Sequence, residues 1–183
     1  AASYIEEQFR ELGLQNIASE EFALSVPIDR GAHLRLPSGA ILPIYALWPN
    51  HVRTSTLPAG GIEGHLIDVG HATLAELNGQ QIEGSIALMA FASGNNYVEV
   101  RSLGARAILF YDDGGVNRSE AADKFLQVPI DIPRFWVEKE QARDLLAAAR
   151  DGKTVVQLAA QMDWERVSAR NIYGYLPGLD EDM

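Results

Sequence analysis

The sequence predicts an α/β protein, and three observations carry that expectation. Two short apolar runs, residues 86–91 and 107–111, are bounded by glycines and flank a segment of helical length, the pattern of strand, helix, strand in a mixed or parallel sheet. Ahead of them, residues 19–47 read as extended runs split by Pro27, Pro37-Ser38-Gly39 and Pro43, a β-rich lead-in. Behind them, residues 138–150 have the length and apolar spacing of a helix, with Leu145, Leu146 and Ala149 inward and Gly152 as stop. The expected architecture is a β-rich open barrel or mixed sheet with flanking helices.

Taken in order, Ser3 and Glu6 have capping-box spacing, and Ile5, Phe9 and Leu12 then share one helical face before Gly13 stops the helix. Residues 21–26, 32–36 and 40–46 read as three strands of a meander, the turn at 37–39 being a hairpin. Residues 47–58 form a polar loop holding Trp48, His51 and Arg53. A tryptophan and an arginine in a loop grip ligands in some proteins; the more ordinary reading has the indole packed under the connection and Arg53 in solvent.

The central stretch opens on Gly60-Gly61-Ile62-Glu63-Gly64 and continues through a strand at 66–69 and a short segment at 73–77. Gly104-Ala105 at the mouth of the second strand suits a helix that ends on a left-handed Gly104. Gly114-Gly115 then breaks the chain, and residues 119–126 make a short helix capped by Ser119. Pro129 and Pro133 keep residues 128–133 out of a sheet interior, so they read as an extended edge leading to a strand at 134–137. Residues 154–160 read as a strand, 164–169 as a return link, and Asp180-Glu181-Asp182 as a short acidic end.

Composition sets outer bounds. A chain of 183 residues with 47% hydrophobic content is long enough for one domain with a real core. Its net charge of −10 argues against a nucleic-acid partner, which needs a basic face to displace counterions. No cysteine is present, which removes disulfides, thiolate zinc sites and cysteine nucleophiles together. No apolar stretch reaches the roughly 18 residues of a membrane-spanning helix. The first residues lack the basic and apolar regions of a signal peptide.

The order Glu83-Gly84-Ser85-Ile86-Ala87-Leu88-Met89, then a helix, then Leu103-Gly104-Ala105-Arg106-Ala107-Ile108-Leu109-Phe110-Tyr111-Asp112 resembles the protease-associated (PA) domain. It is most similar to the PA domain inserted in zinc aminopeptidases of metallopeptidase family 28, relatives of glutamate carboxypeptidase and the transferrin receptor. Ser85 stands where that family usually has a lysine. Two flanks extend the resemblance: Leu47-Trp48-Pro49-Asn50-His51-Val52-Arg53-Thr54-Ser55, and Arg170-Asn171-Ile172-Tyr173-Gly174-Tyr175-Leu176-Pro177-Gly178. The second is similar to the strand by which such peptidases enter their catalytic domain, and the helix with Tyr4, Phe9 and Leu12 is similar to the one that precedes their catalytic sheet.

The resemblance implies three parts: an arm at 1–18, a PA domain with its β-rich lead-in at 19–169, and the start of a catalytic-domain strand at 170–183. It implies a non-catalytic accessory domain that covers the active-site cleft and controls substrate access, in a secreted or cell-envelope enzyme. The implied partners are the catalytic domain of the same parent chain and a peptide substrate, with zinc held in that catalytic domain and not here. The family's His-x-Asp, later Asp, Glu-Glu pair and final His cannot be placed on this sequence, and that His-x-Asp would follow Gly178. Arms shaped for a partner also allow a homo-oligomer or frayed ends. The substrate-facing candidates are Trp48, Asn50 and Arg53, the forked guanidinium suiting a peptide carboxylate. The alternative of another class is an interaction or dimerisation module, whose mark would be an exposed apolar patch away from the two ends.

Other chemistry has little support. His65, Asp68 and His71 flank one strand, but alternation puts His65 and Asp68 on opposite faces, against a metal site. Asp112-Asp113 ends a strand, where α/β folds often bind ligands, but it reads first as a polar turn before Gly114-Gly115. Ser93-Gly94 follows a strand without a Gly-x-Ser-x-Gly elbow, and no phosphate-binding glycine loop occurs.

Overall fold

The computed structural model describes residues 1–124, 129–176 and 178. Its elements are α1 (Ala2–Glu11), β1 (Gln15–Arg35), β2 (Ile41–Ala46), β3 (Ile62–Gly70), α2 (Leu74–Leu77), β4 (Ile86–Ala90), α3 (Tyr97–Ser102), β5 (Ala107–Tyr111), α4 (Arg118–Lys124), β6 (Arg134–Val137), α5 (Lys139–Ala149) and β7 (Val155–Tyr175). The strands form a mixed sheet, curled in the order β1-β2-β6-β5-β4-β3-β7, with helices on its flanks. The expected fold class is the observed one.

Residues 27–163 make one compact unit. At its centre β3, β4, β5 and β6 run parallel, while β2 joins β6 and β7 joins β3 antiparallel. The unbroken apolar runs of β4 and β5 follow from burial on both faces. Ile86, Leu88, Ala107 and Leu109 point into a cluster that draws side chains from all seven strands and from α5. Ala87, Met89, Ile108 and Phe110 point into a second cluster, covered by α2, α3 and α4. Each buried Ile, Leu, Met or Phe side chain among them contributes about 1.5–3 kcal/mol relative to exposure, so these two strands anchor the unit.

The α3 end is built as its glycine implies. Gly104 has φ of +90°, its N–H bonds to the Arg101 carbonyl, and the Ala105 N–H reaches the Val100 carbonyl. These are the paired bonds of a Schellman cap, which turn the chain back into β5.

Residues 1–26 and 164–183 form the other unit, in which α1 accompanies the outer parts of β1 and β7. Glu6 of α1 bridges Arg170 of β7 at 3.4 Å. No residue of α1 is buried, and Tyr4, Ile5, Leu12, Phe22, Trp164 and Tyr175 are all exposed.

Several local expectations are corrected. The lead-in is not three strands: β1 is one strand of 21 residues that passes through Pro27, and Pro43 lies inside β2 opposite His33. β7 likewise joins the strand at 154–160 and the supposed return link at 164–169 into one element, since no proline or glycine interrupts 155–173. Ser3 lies within α1 and is not its cap, the helix starting at Ala2 with Ala1 as its N-cap, two residues before Ser3. Ser119 lies within α4. Its cap is Asn117, whose Oδ1 accepts the Glu120 N–H at 3.1 Å while Glu120 Oε2 accepts the Asn117 N–H at 3.0 Å, a reciprocal capping box. The strand at 134–137 exists as β6, and it is interior, between β5 and β2. The expected helix residues Phe125 and Leu126, Val128 of the extended edge, and the acidic end at 180–182 lie outside the described residues.

Candidate functional site

The loop after β2 carries the three substrate-facing candidates, and the chain segment leading into β6 seats it. Leu47 N–H donates to the Arg134 carbonyl at 3.0 Å. Asn50 is buried, its Nδ2 donating to the Ile130 carbonyl at 2.9 Å. Ser55 Oγ donates to the Arg134 carbonyl at 2.9 Å and accepts the Arg134 N–H at 3.2 Å. With His51 held at φ of +67° between these anchors, the loop has a defined course.

Arg53 and Trp48 then differ sharply in what they leave for a ligand. Arg53 Nε donates to the Thr54 carbonyl, Nη2 to the Thr56 carbonyl and Nη1 to Asp131 Oδ1, each at 3.0 Å. All three of its nitrogens thus tie the loop down. Trp48 instead leaves 45% of its surface exposed, and its carbonyl accepts from Arg134 Nη2 at 3.1 Å.

Arg134 is the residue that sequence reasoning missed. It is only 1% exposed, and burial pushes its pKa down to about 10, because desolvation disfavours the charged form. The signal was present: an arginine between Pro133 and the apolar Phe135-Trp136-Val137 stands in a buried strand. Nearby Tyr97, raised by burial, lies in the cluster that Trp136 shares.

A second polar group lies at the carboxyl ends of β3, β4 and β5. His71 Nε2 is 2.7 Å from Asp113 Oδ2, and Asp113 Oδ1 accepts the Ala92 N–H at 3.0 Å. Asn96 Nδ2 donates to the His71 carbonyl at 2.9 Å. Glu76 faces His71 Nδ1 at 4.0 Å and is held below the ordinary carboxylate range chiefly by the Thr73 N–H of its capping box. Tyr111 is pushed up to about 12 by burial, then by Asp68. Asp112 Oδ1 accepts the N–H groups of Gly114, Gly115 and Val116 at 2.7–3.0 Å, which lower its pKa. Both ring nitrogens of His71 therefore face carboxylates, and the group acts as a seam between strand ends. Among the described residues, no hydroxyl group hydrogen-bonds to the ring of this histidine.

His65 is not part of that seam; it stands exposed on β3 opposite Val155. Among the described residues, no group of three or more His, Asp or Glu side chains converges so that it could hold a metal ion.

Comparison with known proteins adds the context. No family model matches the sequence, and no curated protein matches it. Solved structures do. The chain is similar to an aminopeptidase from Aneurinibacillus sp. strain AM-1, at 19% identity over 99% of this chain and 43% of that one, with a TM-score of 0.59. It is similar to BSAP, a zinc aminopeptidase from Bacillus subtilis, at 18% identity over 94% and 39%, with a TM-score of 0.61. A peptidase M28 precursor from Shewanella amazonensis gives 16% identity over 93% and 42%, with a TM-score of 0.54. The likeness is one of fold. The chain spans about two fifths of the length of each of these peptidases. No helix among the described residues is long and apolar enough to cross a membrane.

Proposed function

We propose that this chain is an accessory domain, of the PA type with arms on either side, of a secreted or cell-envelope zinc aminopeptidase. In this reading residues 1–18 and 170–183 belong with the catalytic domain, residues 19–169 form the accessory domain, and zinc and hydrolysis reside in the catalytic domain of the same parent chain. The observation that carries the reading is the fit of 93–99% of the chain onto about two fifths of three aminopeptidase or M28 peptidase chains. The exposed apolar side chains of α1, β1 and β7 support it, since such faces want cover.

Within that assembly the loop at 47–58 faces the peptide substrate and restricts which peptides enter the cleft. Trp48 supplies the contact surface. Asn50 and Arg53 hold the loop in place, Arg53 through its bonds to Thr54, Thr56 and Asp131.

The test compares zinc content and aminopeptidase activity of the 183-residue chain with those of the full-length protein. Only the full-length protein should bind zinc and cleave peptides, and there Trp48→Ala should change kcat/KM between long and short peptides with unaltered zinc content. Peptide hydrolysis by the 183-residue chain alone would overturn the proposal.

A further inference from the structure

Beside Trp48 lies a pocket of about 390 Å³ lined by Asp29, Tyr45, Trp48, Arg118, Ser119 and Asp123. Its cation is placed in an unusual way. The Arg118 guanidinium carbon stands 4.1 Å from the centroid of the Tyr45 ring, within the range of a cation–π contact. Among the described residues the guanidinium makes no hydrogen bond or ion pair. Tyr45 is itself fixed, by its place in β2 opposite Trp136 and by packing against the core. A planar fork resting on an immobile ring loses little rotamer freedom on binding, and its N–H groups remain for a planar acceptor.

The acidic residues of the pocket differ in their effect. Asp29 is exposed, and its carboxylate is engaged by the backbone, Oδ1 accepting the Gly31 N–H at 2.8 Å and Oδ2 the Ala46 N–H at 3.2 Å. Asp123 is exposed on α4 and adds a solvated negative charge at the rim, where water and salt screen it. On the other side the half-exposed Trp48 indole offers an apolar face.

We propose that the Tyr45, Trp48 and Arg118 pocket binds a carboxylate of a peptide, the oxygens on Arg118 and an adjacent apolar side chain on Trp48. This rests on the substrate-access reading and names the group recognised. The cation is thus Arg118, whose N–H groups meet no acceptor among the described residues, and not Arg53, whose three nitrogens are already bonded. The carboxylate is the terminal one or that of a Glu or Asp side chain, and both present the same planar acceptor.

Calorimetric titration of the 183-residue chain with three peptides tests this: Ala-Ala-Ala-Leu as the free acid, the same peptide as its amide, and Ala-Ala-Glu-Leu amide. The free acid should bind about tenfold or more tighter than the neutral amide. A match by the Glu peptide assigns the site to carboxylates in general, and a failure by it assigns the terminal group alone. Arg118→Gln should abolish the preference with an unchanged near-ultraviolet circular dichroism spectrum, Arg118→Lys should retain part of it, and Trp48→Ala should weaken all three peptides alike. Equal binding of acid and amide, no binding at millimolar concentration, or a preference that survives Arg118→Gln overturns the site. The two readings fail separately. If the preference is present while full-length Trp48→Ala cleaves long and short peptides as wild type does, the access role falls and the carboxylate site stands; the reverse pattern removes the site and leaves access.

Discussion

Ser55 and Arg134 exchange two hydrogen bonds through a single hydroxyl, Oγ donating to the Arg134 carbonyl at 2.9 Å and accepting the Arg134 N–H at 3.2 Å. A side chain here does what a neighbouring strand would do for the first residue of β6. Both partners are buried, so water cannot replace either bond. Ser55→Ala should lower stability by about 1–3 kcal/mol, the cost of leaving buried polar groups unsatisfied, read as a lower urea midpoint with an unchanged slope.

Arg53 joins the same loop to Asp131 and to two carbonyls, and the two kinds of contact separate by mutation. The Asp131 ion pair is solvent-accessible, so Asp131→Ala should cost only about 0–1 kcal/mol. Arg53→Ala also removes the bonds to Thr54 and Thr56 and should cost more. A double-mutant cycle measured by denaturant unfolding gives the coupling, and equal losses for the two single variants would count against the carbonyl bonds.

Asp112 links loop geometry to pH. Its folded-state pKa is depressed by the N–H groups of Val116, Gly114 and Gly115, so its contribution is complete above the ordinary carboxylate value of about 4 and disappears as pH falls through the lower, folded value. Wild type should therefore lose stability on acidification below about pH 4 more steeply than Asp112→Asn, which keeps an acceptor oxygen but does not titrate. Parallel slopes for the two proteins would contradict this.

Gly61 sits at φ of +79°, and a Cβ there would overlap the carbonyl oxygen of Leu158. That oxygen belongs to the β3–β7 ladder, where Leu158 pairs with Ile62, so it cannot swing aside. Gly61→Ala should destabilise by about 1–3 kcal/mol from backbone strain alone and by more from the overlap. Gly60→Ala, with open space around its Cβ, is the control that carries strain without a clash.

The legible parts of this protein were the local ones. β4 and β5 were readable because a strand buried on both faces must be apolar at every position, and the left-handed Gly104 because only glycine adopts that conformation without strain. The three-strand meander fails because a proline does not always break a strand. Pro27 and Pro43 are in fact carried within β1 and β2. Caps were misplaced by similar reasoning, since Ser3 and Ser119 have the right chemistry but the backbone starts each helix elsewhere.

The sequence by itself determined the α/β class, the central strands and the loop that carries Trp48, because each is written in patterns a few residues long. Only the tertiary structure decided what each of three arginines meets. Arg53 meets Asp131, Arg118 meets Tyr45 and Arg134 meets Trp48 across 78, 73 and 86 residues of chain. Three arginines of identical chemistry thus become a tether, a fork stacked on a ring and a buried seat. Their difference lies in the desolvation and the partners that folding brings to each, which no local pattern records.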